Sequence, residues 1–183
     1  MRTFRLLGLV VALLVGLSAP SSLVAQDSWK VDGGDERQRE IVKRYKTLLE
    51  RNPAEGLAFR KLLDYVGKGK GLDRLLSEYE RRVEAKPGAV NLRLILGHLY
   101  KSKNEYDKAL AQYEEAVKLE PGSPLVWLSR GSVHVLLQHG EEATADFEKA
   151  LALEKVKSKK QDILRKLADN AFAQRDWERA QTY

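Results

Sequence analysis

The side chains most able to ligate a metal or move a proton at neutral pH in this 183-residue chain are three histidines, His98, His134 and His139. No two of them stand four apart on a helical stripe, and no HExxH motif or acid-rich loop accompanies them, so no metal site is expected. His134 is read as a structural residue. Cysteine is absent, which removes thiolate chemistry, disulfides and a lipidated cysteine. The run Gly67-Lys68-Gly69-Lys70-Gly71 is glycine-rich, but it lacks the GxxxxGK[ST] spacing and follows a helical pattern and not a strand; a turn is expected there. No GxSxG motif occurs, and the acidic pairs Glu114-Glu115 and Glu141-Glu142 sit among lysines, as on a solvated helix face. No catalytic, cofactor-binding or metal-binding residue is assigned, and the chain is not expected to be an enzyme.

The elements that carry these residues are repetitive. Pro53, Pro87 and Pro121 stand 34 residues apart, and Tyr45, Tyr79, Tyr113 and Phe147 keep the same interval. So do Leu49, Val83, Val117 and Leu151. A period of this length with two amphipathic segments per unit predicts stacked helical hairpins, because no single unit can bury its apolar stripe. Within the unit near Val90 come Leu96-Gly97, Tyr100, Ala109, Tyr113, Ala116 and Pro121; its successor carries Trp127, Gly131, Ala143, Phe147 and Ala150. Glycine and alanine would let the two helices of a unit approach closely. The rings of Tyr113 and Phe147 are expected to fill the space between consecutive units. Proline at 87 and 121 ends the second helix, with Gly88 and Gly122 permitting the turn.

These residues, at these intervals, resemble the tetratricopeptide repeat, with its Trp, Leu-Gly and Tyr in the first helix, Ala-aromatic-Ala in the second and closing Pro. The resemblance implies an all-α fold, a right-handed superhelical array of antiparallel helix hairpins, acting as a protein-interaction scaffold without a cofactor. The chain divides accordingly into a leader at 1–25, a linker at 26–35, an N-terminal capping helix or half repeat at 36–53, a divergent repeat at 56–89, repeats at 90–123 and 124–157, and a partial repeat at 161–183 cut within its second helix. In the divergent unit Leu63 and Leu75 replace small residues and Arg82 takes an alanine site, so its helices should stand further apart.

The leader reading rests on Arg2 and Arg5, a largely apolar stretch from Leu6 to Leu17, and small residues up to Ala25. It implies export to a periplasm or the outside, with cleavage after Ala25; an uncleaved anchor is the alternative, disfavoured because a bilayer span needs about 20 apolar residues. Without Arg2 and Arg5 the chain keeps 30 basic against 26 acidic residues, a mild excess. Lys155, Lys157, Lys159 and Lys160 form a local basic concentration, read as an inter-repeat loop that could meet an acidic partner or anionic surface. Nucleic acid is not an expected partner, since no aromatics interleave with these charges.

In the family, first helices line a concave groove. The corresponding positions are Leu57, Arg60 and Asp64; Asn91, Leu94, His98 and Lys101; and Leu125, Leu128, Ser132 and Val135. A protein or peptide with apolar anchors would suit them. The lysine and asparagine clamp that some members use for a terminal carboxylate is not carried over, since Arg60, Asp64, Leu94 and His98 stand in those places. The abrupt stop at Tyr183 would leave Leu167, Phe172 and Trp177 without a neighbour, which suggests either a longer polypeptide, such as the front of an envelope enzyme, or self-association through the open end.

Overall fold

The computed structural model describes residues 36–183, and the leader and linker readings therefore lie outside the described residues. Among the described residues there are nine α-helices and no strand: α1 (Glu36–Arg51), α2 (Leu57–Val66), α3 (Lys70–Ala85), α4 (Val90–Ser102), α5 (Tyr106–Leu119), α6 (Pro124–Leu136), α7 (Gly140–Leu153), α8 (Lys157–Ala173) and α9 (Trp177–Thr182). They form an all-α solenoid of helical hairpins. α4 pairs with α5, α6 with α7 and α8 with α9, and each hairpin packs on the next through α5–α6 and α7–α8.

Each regular hairpin is closed by one glycine and one ring. A Cβ on Gly131 would stand 2.7 Å from Cε1 of Phe147, and one on Gly97 would collide with the Tyr113 ring in the same way. The rings thus press on the backbone of the first helix of their own unit, and Phe147 also meets the next hairpin at the junction, as expected. Ala109, Ala116, Ala143 and Ala150 are fully buried beside them and keep the ridge low. The junction between the last two hairpins then forms from Ala143, Phe147 and Ala150 of α7 against Ile163 and Leu167 of α8. Leu167, expected to lack a neighbour, is buried there; Phe172 and Trp177 are exposed and meet edge to face.

Within hairpins the chain reverses through a left-handed residue, Asn104, Gln138 or Arg175, each at φ 62°. The bonds are those of a Schellman turn: Glu105 N–H donates to Tyr100 C=O at 3.0 Å, His139 N–H to His134 C=O at 2.9 Å and Asp176 N–H to Ala171 C=O at 2.9 Å. Between hairpins the geometry differs. Lys86 and Glu120, forced out of the helical region by the prolines that follow, end α3 and α5. Gly88 and Gly122 do not adopt positive φ, and a Cβ on either would meet nothing within 4 Å, so the turn does not depend on them. The carbonyl of each closing proline is instead taken by the side chain six residues on: Arg93 Nε donates to Pro87 at 2.7 Å and Trp127 Nε1 to Pro121 at 2.8 Å.

The N-terminal hairpin is the irregular one. Gly67 and Gly69 supply the turn, at φ 75° and 65°, as the glycine-lysine run implies. α2 and α3 touch sparsely, and α1 packs on α2 and also reaches α4. Leu63, standing where the next units have glycine, leaves no seat for a ring. Tyr79 is nevertheless buried, but its hydroxyl has no hydrogen-bond partner among the described residues, whereas that of Tyr113 does.

Position 59 holds phenylalanine, which cannot donate, so the Pro53 carbonyl finds its donor elsewhere. His98 on α4 approaches it through Nε2 at 2.8 Å, while His98 Nδ1 lies 2.5 Å from the Tyr113 hydroxyl. A carbonyl only accepts, so Nε2 carries the proton and Nδ1 accepts from tyrosine. Burial holds the imidazole neutral and lowers its pKa to about 4, against a smaller opposing pull from Glu55; Lys101 reinforces the lowering.

Since the unfolded chain binds a proton at His98 near 6.5 and the folded chain does not until about 4, stability contributed by the neutral ring is complete above 6.5 and is lost as pH falls toward 4, by roughly 3 kcal/mol at most. His134, also lowered mainly by burial, adds the same sign. His98→Gln keeps a donor for Pro53 and an acceptor for Tyr113 without titrating. Denaturant unfolding of the wild type at pH 6.5 and 4.5 should show a clear loss of stability, and that loss should shrink in His98→Gln; an unchanged pH slope would contradict the assignment.

Candidate partner-binding surface

The face presented by first helices is set by α2, α4, α6 and α8, and their positions do not form one continuous groove. On α4, Leu94 and His98 are buried in the core. The cause is the end of α1 and the segment after it, which lie against this helix. Asn91 Nδ2 donates to the Glu50 carbonyl at 2.8 Å, Lys101 pairs with Glu55, and the Phe59 ring meets His98 edge-on. Leu94 and His98 are therefore core residues and not groove residues, and Asn91 and Lys101 are already engaged within the chain.

Among the described residues, two depressions include expected positions, one on α2 and one at α6. The first, about 400 Å³, runs along α2 and is lined by Leu57, Arg60, Lys61, Leu63 and Asp64, which brings three of the expected residues together. Leu57 is 64% exposed there. The second, about 200 Å³, lies between α6, α7 and α8 and is lined by Ser132, Val135, Phe147, Lys166, Asp169 and Asn170. Leu125 is half-buried, and Leu128, also half-buried, packs against the Phe147 cluster and outside the pocket.

Lys166, Asp169 and Asn170 were not among the residues expected from sequence. The signal was present: the three-residue insertion at 155–160 makes the local interval 37, which carries Ser132 to Asp169 and Val135 to Phe172. Val135 and Phe172 are 39% and 63% exposed; Val135 lines the pocket, and Phe172 stands on α8 just beyond Asn170.

The basic concentration also changes character. α8 begins at Lys157, so Lys157, Lys159 and Lys160 lie on its first turn and not in a loop. Positive charge there opposes the helix dipole. Glu154 offsets part of that, its carboxylate accepting from the Val156 and Lys155 amides at 2.9 and 2.8 Å; those bonds, the one from Val156 foremost, lower its pKa.

An ion pair ties α6 to α7. Asp146, almost fully buried, accepts two hydrogen bonds from Arg130, at 2.8 and 2.6 Å, and His134 lies 3.9 Å from the same carboxylate. His134 and His139 meet through their rings, with centroids 5.7 Å apart. Among the described residues no group of three His, Asp or Glu side chains is placed to hold a metal ion, and no helix is long and apolar enough to cross a membrane.

The comparisons with known proteins agree with this architecture. A family model described as TPR repeat matches residues 97–138. No curated protein matches the chain in sequence. Among solved structures, a crystal structure of MamA superimposes with a TM-score of 0.58 at 15% identity, covering 78% of this chain and 81% of that one. A MamA structure labelled MSR-1 gives 0.55 at 22% identity over 80% and 91% of the two chains. A thermophilic TPR protein in Thermus thermophilus gives 0.55 at 22% identity over 79% and 78%. The chain thus has the fold of tetratricopeptide-repeat solenoids and carries a repeat recognisable in sequence at residues 97–138.

Proposed function

We propose that this chain is a non-catalytic scaffold that captures a segment of a partner protein on the concave side of its C-terminal hairpins, between α6 and α8. The observation that carries the reading is a pocket of side-chain size with Val135 exposed on its wall and Phe172 exposed further along α8, the helix that forms its other side. The buried cluster of Ala143, Phe147, Ala150, Ile163 and Leu167 fixes α7 against α8 beside that pocket, so little conformational entropy is lost when a segment enters it. The lysines on the first turn of α8 lie exposed on the same helix and favour acidic residues in the flanking part of the partner, an attraction that should weaken with added salt. The family fold supports protein binding as the general role.

We further infer that the scaffold works outside the cytoplasm, on the strength of the basic, apolar and small-residue succession from Met1 to Ala25. N-terminal sequencing of protein recovered from the producing cells should begin at Gln26. A start at Met1 in the cytosolic fraction would remove the export reading and leave the groove untouched.

The groove itself is tested by selecting binders from a displayed random-peptide library. Peptides recovered against the wild type should lose at least about 10-fold in affinity, on the order of 1.4 kcal/mol, when Val135 and Phe172 are both replaced by glutamate. Circular dichroism should be unchanged, because both side chains are exposed. Binders insensitive to the double variant would place the surface elsewhere. By contrast Leu94→Glu, which buries a charge in the core, should unfold its hairpin.

A further inference from the structure

The polar atoms around the α6–α8 pocket are unevenly divided between donors and acceptors. Asn170 is 4% exposed and is held by a closed circuit: its Nδ2 donates to Gly140 C=O at 2.8 Å and to Thr144 Oγ1 at 2.9 Å, while Thr144 Oγ1 donates to the same carbonyl at 3.0 Å. Because a backbone carbonyl only accepts, the amide cannot be reversed, and Oδ1 is left as a fixed acceptor. Ser132 has committed its proton to Leu128 C=O at 2.7 Å, so its oxygen too can only accept. Asp169 is exposed and has no ion pair among the described residues. Phe147 and Val135 supply apolar wall, and among the described residues Lys166 is the one cation lining the pocket.

A volume of about 200 Å³ falls below the ~300–1,000 Å³ of a small-molecule site and suits a single long side chain. Apolar wall joined to three acceptors is complementary to an alkyl stem that ends in N–H donors. Resting on the concave-surface reading above, we propose that this pocket receives an arginine side chain of the partner segment. Its stem lies along Val135 and Phe147, and its guanidinium is shared between the Asp169 carboxylate, Asn170 Oδ1 and Ser132 Oγ. Arginine is preferred over lysine because five planar donors can serve three separate acceptors and the guanidinium sheds water more readily. Lys166 opposes this occupant, and removing its charge should strengthen binding.

The test titrates the full chain with N-acetyl-arginine methylamide and, separately, with its citrulline counterpart, which has nearly the same shape and no charge, while amide resonances of Ser132, Val135 and Asn170 are followed by NMR. The arginine compound should shift them saturably and bind about 10-fold more tightly than the citrulline compound. Asp169→Asn should erase that difference and Lys166→Gln should widen it; both side chains are exposed, so neither change threatens the fold. Equal titration by the two compounds, or indifference to Asp169→Asn, overturns the proposal. The lysine analogue binding more tightly than arginine would overturn the choice of cation. Displayed peptides that depend on Val135 and Phe172 yet carry no arginine would sink this inference while sparing the groove. Failure of the display selection together with a positive arginine titration would do the reverse.

Discussion

The structure depends on an aromatic ring pressed against the bare backbone of the facing helix. Where Gly97 meets Tyr113 and Gly131 meets Phe147 there is no room for a single methyl group. That contact sets how closely the two helices of a hairpin approach, and so how the four buried alanines beside it can pack. The spacing of the hairpins follows, because the same ring and alanines form the floor on which the next unit rests. Dispersion and burial act together at such a contact, and both fall off steeply when surfaces part by even an ångström.

The N-terminal hairpin shows what happens when the contact is missing. Leu63 takes the glycine position, α2 and α3 separate, and the array is sealed by other means: α1 spreads onto α4, and His98 bridges the Pro53 carbonyl and the Tyr113 hydroxyl. This repair occupies the face that would otherwise be open. The surface proposed to bind a partner lies instead at α6 and α8, where the glycine–ring contact of Gly131 and Phe147 is intact.

Much of the fold was legible in the sequence because its determinants are local and repeated. The 34-residue interval places α4 and α6, and α5 and α7, in matching registers, and Leu63 and Leu75 correctly signalled a loosened hairpin. The site was less legible. Leu94 and His98 occupy groove positions of the repeat pattern, but their burial comes from a segment some 40 residues away, and a periodic pattern carries no information about such a non-local contact. Phe59 was the available hint, since it cannot donate to Pro53 as Arg93 and Trp127 do to the later prolines. Lys166, Asp169 and Asn170 fell outside the expected set for a simpler reason: the 34-residue interval stops applying after the insertion at 155–160. Gly88 and Gly122 were given a conformational role that φ values do not support, whereas Asn104, Gln138 and Arg175, which do adopt left-handed φ, carry side chains that a search for glycine passes over.

The most direct measurement compares unfolding free energies of Gly131→Ala and Gly122→Ala. Alanine is the better helix former by about 1 kcal/mol, so on propensity alone the helical Gly131 should gain. The ring contact predicts the opposite, a loss of roughly 1–3 kcal/mol from overpacking against Phe147, while Gly122, with nothing within 4 Å of its added methyl group, stays close to wild type. A Gly131→Ala protein as stable as the wild type or more so would contradict the account, because the helices could then part without cost.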